Sequence, residues 1–114
     1  MRFKFKYKNK NFSFNVKKCT SIFSKARGLM FRRLKNAPNL LFIFKKPGNY
    51  SIHSCFCFFD FVAVWFLGNK IIDVKIVKPF RLCVLPSIKF DKLLEIPLNN
   101  EKNIKLLEKF LKHR

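Results

Sequence analysis

Basic and aromatic residues alternate strictly at the start of the chain. Basic residues occupy the even positions of segment 2–8, and aromatic residues occupy its odd positions. This period of two predicts a strand with one face in solvent and one face against a core. The alternation resumes at Phe12, Phe14 and Val16, after the turn-forming residues 9–11. We therefore predict a β-hairpin over residues 2–18 whose aromatic side chains face the core.

Two segments place apolar residues at spacings of three and four, which is typical of amphipathic helices. The first begins after Thr20 or Ser21, either of which can cap a helix, and runs to about residue 35, ahead of Pro38. The second covers residues 101–112, with an apolar stripe that begins at Ile104 and with acidic and basic ends that suit the helix dipole. We predict that this terminal helix packs on a sheet or on a partner.

Short apolar runs separated by turn residues predict strands through the middle of the chain. These runs cover residues 40–44, 51–59, 61–67, 70–77 and 91–96. Gly68 and Asn69 predict a two-residue hairpin turn, and residues 46–49 predict a loop. The length of 114 residues fits a single domain, residues 1–114. We predict an α+β fold whose mainly antiparallel sheet is open or curled like a barrel, with one internal helix and a C-terminal helix.

Positive charge is concentrated in the first half of the chain. The 25 Lys and Arg against six Asp and Glu give a formal net charge of +19, and residues 1–59 contain 14 of these cations and no acid. Such a surface attracts polyanions in a salt-dependent manner. One hypothesis is therefore sequence-independent nucleic-acid binding through this basic first half. The candidate polyanion-binding residues lie on the predicted internal helix: Lys25, Arg27, Arg32, Arg33 and Lys35.

Base composition offers a second explanation of the same charge. Lys, Phe, Asn and Ile make up 54 of the 114 residues and have A/T-rich codons, whereas Ala and Gly number three each. Only six of the 25 basic residues are Arg, the residue that planar phosphate and base recognition favours. The predicted hairpin also directs its aromatic residues away from its basic row, which leaves no base stacking on that face. Weak polyanion binding is then a consequence of composition.

The sequence shows no pattern typical of an export signal or of a membrane-spanning segment. Lys or Arg interrupts the N-terminal region at nearly every second position, so the region lacks the apolar stretch of a secretory signal. The longest apolar region, residues 55–67, contains Asp60 and is shorter than the roughly 20 residues that span a membrane. We therefore expect a cytoplasmic protein with no transmembrane segment and with reduced thiols at its four cysteines.

His53, Cys55 and Cys57 occupy alternate positions, as metal ligands on one strand face would. Residues two apart on a flat strand are separated by about 7 Å, which exceeds the spacing of two sulfurs on one Zn²⁺. We therefore expect buried thiols, no metal and no cofactor, with a zinc site on these residues as the alternative. Asp60 interrupts the apolar run, and it marks either a bend or a site carboxylate.

Segment 26–34, ARGLMFRRL, is similar to the R-G-L-M-x-R signature of uncharacterised protein family 0127, a prokaryotic family also called domain of unknown function 192. The resemblance extends over about residues 12–98. It continues through LFIF at residues 41–44, SIH at 51–53, KPF at 78–80 and LEIP at 94–97. What the resemblance implies is a compact, β-rich α+β domain with no established activity.

The polar positions that match the family motifs are the candidates for a shared site. They are Arg27, Arg32, His53 and Glu95. One departure concerns the family's P-(L/I)-D step, at which this chain has Asp60-Phe61-Val62. The aspartate that the resemblance implies is therefore lost here, or is replaced two residues earlier by Asp60.

No complete catalytic constellation can be recognised, so the leading hypothesis is a binding or accessory module of unknown ligand and not an enzyme. The nucleic-acid hypothesis above is the first alternative. The second is an uncharacterised enzyme whose site lies around Arg27, Arg32, His53 and Glu95. The partner and the oligomeric state are open under each hypothesis, and the terminal helix is a candidate docking element.

Overall fold

Seven strands and one helix form the described part of the chain. The computed structural model describes residues 1–7, 9–19, 33, 35, 37–50, 57–80, 86 and 88–113, and in the helix the side chains of residues 101–105, 108 and 109. The first two strands, β1 (Arg2–Tyr7) and β2 (Lys10–Asn15), pair as a two-stranded sheet. The other elements are β3 (Lys17–Cys19), β4 (Leu40–Gly48), β5 (Phe61–Leu67), β6 (Lys70–Val77), β7 (Phe90–Pro97) and α1 (Glu101–His113).

The larger sheet is mixed, with the strand order β3-β4-β7-β5-β6. Every pair is antiparallel except β3 with β4, which is parallel. β3 and β6 are its end strands, so the described strands form an open sheet and do not close into a barrel. The sheet-rich, mainly antiparallel class predicted from the sequence is confirmed, whereas its barrel-like option is not.

The first hairpin is shorter than the sequence predicts. β1 and β2 pair antiparallel over their full lengths around a two-residue turn, so residues 10 and 11 belong to a strand. Val16 still exchanges main-chain hydrogen bonds with Met1, at 2.7 and 3.2 Å. The chain leaves the hairpin at the next residue, because the Lys17 amide donates to the Asn39 carbonyl at 2.8 Å. β3 then pairs with β4 of the larger sheet. The predicted end of the hairpin at residue 18 is wrong, because alternation of polar and apolar residues does not show where the chain passes from one sheet to another.

β5 lies in the centre of the core and is covered on both faces. Residues 61–66 are at most 1% exposed. The inner aromatic side chains of the hairpin pack on one face, where the ring centroids of Phe5 and Phe66 lie 5.3 Å apart in a T-shaped contact. Trp65 and its neighbours form a second apolar cluster on the opposite face. The prediction that the aromatic side chains of the hairpin face the core is confirmed.

The hairpin turn between β5 and β6 forms where the sequence predicts it. Gly68 has a φ of 62°, a left-handed conformation that glycine adopts without a steric penalty. Asp91 of β7 braces this turn, because its two carboxylate oxygens accept the Gly68 amide hydrogen at N···O distances of 3.1 and 3.2 Å. The neighbouring strand therefore supports a turn that glycine already favours.

β4 continues through residues 46–48, where the sequence predicts a loop. Its pairing with β7 becomes irregular between Ile43 and Gly48, so the strand is distorted over this stretch. A β-carbon at Gly48 would lie 2.8 Å from the Tyr50 ring, and that ring stacks on Phe44 with centroids 4.2 Å apart. The stacked rings of Phe44 and Tyr50 hold the end of β4 against the sheet. The loop prediction is wrong because turn propensity depends on local residue types and does not include such an aromatic contact.

The C-terminal helix α1 is confirmed, but its inner face differs from the predicted stripe. Ile104 is 45% exposed, whereas Asn103 is 1% exposed. Glu101 and Lys105, one helical turn apart, form an ion pair with an N···O distance of 3.5 Å. A polar residue therefore occupies the buried position at the start of the helix, because hydrogen bonds and not apolar contacts hold this end.

The Asn103 side chain joins α1 to the rest of the protein. Its Nδ2 atom donates to the Pro97 carbonyl and lies 3.2 Å from the side-chain oxygens of Asn39 and Asn99. Asn100 caps the helix, because its side-chain oxygen accepts the main-chain amide of Asn103 at 2.9 Å. These hydrogen bonds join the start of the helix to the fold, and its role as a docking element stays a prediction.

Several predicted elements lie outside the described residues. These are the internal helix, apart from Arg33 and Lys35, and the strand at residues 51–56. The described end of that run, residues 57–60, is not a strand and bends at Phe59. Within the described ranges, no helix is long and apolar enough to cross a membrane.

Replacing Asn103 with Ala should lower the free energy of unfolding by about 1–3 kcal/mol, because the change leaves buried acceptors without a donor. Urea denaturation measures this difference. Asn69→Ala is the matched control, because Asn69 lies in an exposed turn and its loss should change stability by less than about 0.5 kcal/mol. Equal effects of the two substitutions would contradict a central role for Asn103.

Candidate functional site

The structure describes only some of the residues that the sequence identifies as site candidates. Glu95, Cys57, Asp60, Arg33 and Lys35 are described, and the last two are exposed. The other candidates lie outside the described residues: Lys25, Arg27, Arg32, His53 and Cys55. The convergence of the family-motif residues in one site therefore stays a prediction.

Glu95 lies at the centre of the larger sheet, on β7 between Leu40 of β4 and Ala63 of β5. It is 4% exposed, and burial raises the pKa of its carboxyl group to about 8 because the charged form loses its hydration. No described residue forms a hydrogen bond or an ion pair with this carboxyl group. Glu95 therefore holds its proton at neutral pH, and its hydroxyl group can donate a hydrogen bond.

Trp65 of β5 shares this face of the sheet with Glu95. The register pairs Ala63 with Glu95 and Trp65 with Leu93, so Trp65 and Glu95 are diagonal neighbours. The indole Nε1 atom of Trp65 is buried and has no hydrogen-bond partner in the part of the chain that the structure describes. Lys75 of β6 places its ammonium nitrogen 5.8 Å from the ring centroid. Trp65 is not among the predicted site residues, because a Trp within an apolar run resembles any other core residue.

Cys57 lies near Glu95, and the charge of Glu95 raises the pKa of the Cys57 thiol. Its thiol is 2% exposed, and its Sγ atom donates to the Phe59 carbonyl at 3.4 Å. Burial raises the pKa of this thiol most strongly, the hydrogen bond to Phe59 lowers the pKa, and the charges of Glu95 and Asp60 raise it further. Cys57 therefore remains protonated at neutral pH, which disfavours both nucleophilic attack and metal binding.

Asp60 occupies the bend that the sequence analysis offered as one of its two interpretations. The chain bends at Phe59, β5 begins at Phe61, and the Asp60 carboxylate pairs with the Lys78 ammonium group at 2.6 Å. Across the described ranges, no three His, Cys, Asp or Glu side chains are grouped so that they could hold a metal ion. The period-two argument for a metal site also fails at Cys57, because this residue does not lie on a strand.

A groove of about 490 Å³ runs between β2 and α1. Lysines of α1 form one wall, and the polar and aromatic residues of β2 form the other. The lining residues are Asn11, Phe12, Ser13, Phe14, Glu101, Lys102, Lys105 and Lys109. The three lysines follow each other at spacings of three and four, so they project from one side of the helix.

Two of these lysines also hold the helix against the hairpin. The Lys102 ammonium group donates to the Ser13 carbonyl and lies 5.0 Å from the Phe14 ring centroid. The Lys109 ammonium nitrogen lies 5.2 Å from the Phe12 ring centroid. Such cation–π contacts leave the positive charge in place, so the groove is lined by cations along its length.

The outer face of the hairpin adjoins this groove. The register places Lys4 beside Ser13 and Lys6 beside Asn11, and both Ser13 and Asn11 also line the groove. Arg2 continues the same row, and its neighbours along the strand are about 7 Å apart. These three cations are exposed, and no acid lies among the described residues of this face.

These features define a β-rich α+β domain in which a hairpin packs on a mixed sheet and a helix packs along the hairpin. The chain belongs to the DUF192 family, described as Uncharacterized ACR, because the model of this family matches residues 4–107. The match confirms the resemblance to domain of unknown function 192 that the motifs of the sequence indicate.

Two solved structures share this fold. A protein of unknown function from Novosphingobium aromaticivorans DSM 12444 has a TM-score of 0.73 and 15% sequence identity, over 90% of this chain and 75% of that chain. A protein from Sinorhizobium meliloti 1021, provisionally named a transcription regulator, has a TM-score of 0.74 and 14% identity, over 94% of this chain and 84% of that chain. At these identities the likeness concerns the fold alone. No curated protein matches the chain with significant sequence similarity.

Replacing Glu95 with Gln should remove a pH dependence of stability. The carboxyl pKa is about 8 in the folded state and 4.5 without its environment, so between these values the folded state binds one more proton than the unfolded chain. The wild-type free energy of unfolding should therefore fall as pH rises through this window, by up to about 1.4 kcal/mol per pH unit. Urea unfolding at pH 5, 6 and 7 measures the decline, which the variant should lack.

Glu101→Gln is the control for this measurement, because the Glu101 side chain is 85% exposed. This variant should keep the wild-type slope of stability against pH. Identical slopes for the wild type and Glu95→Gln would refute a buried, protonated carboxyl group at position 95.

Proposed function

We propose that this chain is a binding module for nucleic acid, which it contacts through the phosphate backbone. The observation that carries the proposal is the convergence of cations from both ends of the chain on one surface. In this basic surface, Lys102, Lys105 and Lys109 line the groove. Arg2, Lys4 and Lys6 lie on β1, next to the β2 wall of the groove. Its cations outnumber the one acid that lines the groove, Glu101.

The charge balance of the basic surface favours a polyanion over a small anion. Glu101 pairs with Lys105, which leaves five cations spread along a strand and a helix. Separated cations act together on an extended chain of phosphates, and each contact releases counterions. A single phosphate or carboxylate would meet only one or two of them.

The chemistry of this surface supports recognition that does not depend on sequence. Lys and Arg contacts to phosphates position a nucleic acid but carry no base information. Phe12 and Phe14 lie beside the ammonium groups of Lys109 and Lys102, and Phe14 is buried. Because these rings are engaged within the fold, they do not offer the exposed stacking platforms that single-stranded bases use.

The proposed surface differs from the basic first half that the charge distribution of the sequence suggests. Three of its six cations belong to α1, at the other end of the chain. Arg33 and Lys35 are exposed and remain additional candidates, together with Lys25, Arg27 and Arg32. Codon bias alone would distribute lysines without regard to their spatial neighbours, so a matched set of lysines elsewhere distinguishes the two explanations.

Replacing Lys102, Lys105 and Lys109 together with Gln should weaken binding to a single-stranded oligonucleotide and reduce its salt dependence. Each phosphate contact contributes about 0.7 to the slope of log affinity against log salt, so loss of the two unpaired lysines, Lys102 and Lys109, should lower the slope by about 1.4. Fluorescence anisotropy of a labelled oligothymidylate over a series of salt concentrations measures both quantities. Circular dichroism checks that α1 is retained.

The matched control replaces Lys45, Lys46 and Lys89 with Gln. These lysines are exposed and lie outside the basic surface, and the control removes the same charge. The control should retain most of the wild-type slope. Equal losses in the two variants would show that net charge alone attracts the oligonucleotide, and absence of binding at low salt would refute the nucleic-acid proposal.

A further inference from the structure

The outer edge of β2 faces the groove between the hairpin and α1. In an antiparallel pair, residues that exchange two main-chain hydrogen bonds alternate with residues whose main-chain groups point away from the partner strand. Val16 and Met1 exchange both of their hydrogen bonds, at 2.7 and 3.2 Å. The register from this pair makes Asn11, Ser13 and Asn15 the outward-pointing residues of β2. The first two of these line the groove, so their main-chain groups point toward it.

Two outward carbonyl groups of this edge are already engaged within the fold. The Ser13 carbonyl accepts a hydrogen bond from the Lys102 ammonium group, and the Asn15 carbonyl accepts one from the side-chain amide of Asn39 at 3.1 Å. Among the described residues, no group accepts the outward amide hydrogens of Ser13 and Asn11. Addition of a peptide strand requires open donors and open acceptors along an edge, so the engaged carbonyls disfavour it. Open amides instead suit an anion.

Lysines on the opposite wall complement these two amides. A ligand in the groove has the β2 amides on one side and the ammonium groups of α1 on the other. Residues two apart on a strand are separated by about 7 Å, which is close to the separation of successive phosphates along one nucleic-acid strand. Main-chain N–H groups and Lys side chains are common partners of phosphate oxygens. The groove therefore matches a sugar–phosphate backbone in charge, in hydrogen bonding and in spacing.

The walls of the groove determine which form of nucleic acid can reach the amides. For one backbone of a duplex to enter, α1 and the hairpin would have to occupy the DNA grooves on both sides of that backbone. One of these is always the minor groove, which is about 6 Å wide, whereas a helix with its side chains is about 10–12 Å across. The major groove admits a helix or a two-stranded ribbon, but the minor groove admits neither. A single strand meets no such restriction.

We propose that the groove between β2 and α1 receives one single strand of nucleic acid, whose phosphate oxygens accept hydrogen bonds from the main-chain amides of Asn11 and Ser13. This assignment rests on the proposed nucleic-acid function and narrows it to single strands. The preference arises from access of the backbone to the groove and does not require base stacking. A duplex contacts only the exposed cations around the groove.

Matched oligonucleotides test the preference for a single strand. Oligothymidylate should bind the full chain about tenfold more tightly, or more, than the same oligothymidylate annealed to oligoadenylate at equal salt concentration. Fluorescence anisotropy measures both affinities. The duplex has the higher charge density, so attraction by net charge alone would favour the duplex. A duplex affinity equal to or above that of the single strand would overturn the groove assignment and leave the nucleic-acid function in place.

Proline at position 13 removes one proposed donor and no hydrogen bond of the hairpin, because the Ser13 amide points outward. Ser13→Pro should bind oligothymidylate about tenfold more weakly than Ser13→Ala, which keeps the amide. Lys4 lies opposite Ser13, and its main-chain amide points to the other edge of the hairpin, away from the groove. The control pair Lys4→Pro and Lys4→Ala should therefore bind alike. Equal affinities of Ser13→Pro and Ser13→Ala would overturn the assignment.

The ¹H–¹⁵N spectrum of the full chain provides a second measurement that needs no substitution. Titration with oligothymidylate should shift the main-chain amide resonances of Asn11 and Ser13 downfield in a saturable manner, and it should shift that of Lys4 less. Unshifted resonances of Asn11 and Ser13 with oligothymidylate bound would overturn the assignment, even if Ser13→Pro does not fold. Absence of all oligonucleotide binding at low salt would instead refute the nucleic-acid function itself.

Discussion

The side-chain amide of Asn103 joins parts of the chain that lie far apart in sequence. It connects the start of α1 to the Pro97 carbonyl at the end of β7 and to the side chains of Asn99 and Asn39. Asn39 in turn donates to the Asn15 carbonyl at the end of the hairpin, so the cluster reaches the second sheet. A buried amide of this kind stabilises the fold only while its hydrogen bonds are satisfied. The position of α1 depends on it, and so does the position of the lysines that line the groove.

The two faces of the larger sheet differ in the buried polar groups that they contain. On one face, the hairpin covers β5 and β7 with apolar side chains, and Phe5 packs against Phe66. The other face is also apolar for the most part, but it contains the Glu95 carboxyl group and the Trp65 indole nitrogen. Among the described residues, the buried Nε1–H group of Trp65 has no hydrogen-bond partner, and burial of the Glu95 carboxyl group removes its hydration; both features lower stability. A feature that costs stability within a well-packed core is expected at functional positions.

Sequence reasoning found part of the candidate sites, and the reasons differ from residue to residue. Glu95 came from a family motif, because the β7 pattern does not distinguish a buried carboxyl group from an exposed one. Trp65 was missed because burial of a Trp requires no explanation until its nitrogen is found without a partner. The α1 lysines were not among the predicted site residues, although Lys102 contacts Ser13 across 89 residues of sequence. Charge counted along the chain indicates attraction to polyanions, but it does not show which cations share a surface.

Local pattern by itself determined the strands of the first hairpin, the Gly68 turn and the extent of α1, because periodicity and turn chemistry act over a few neighbouring residues. Tertiary structure decided where the chain leaves the hairpin after Val16, and that Asn103 and not Ile104 faces inward. These outcomes depend on hydrogen bonds and ring contacts between residues that are distant in sequence. A periodic pattern shows which side of an element is buried, but it does not show what covers that side. Only the folded chain brings the lysines of α1 to the hairpin and leaves Trp65 and Glu95 together on one face of the sheet.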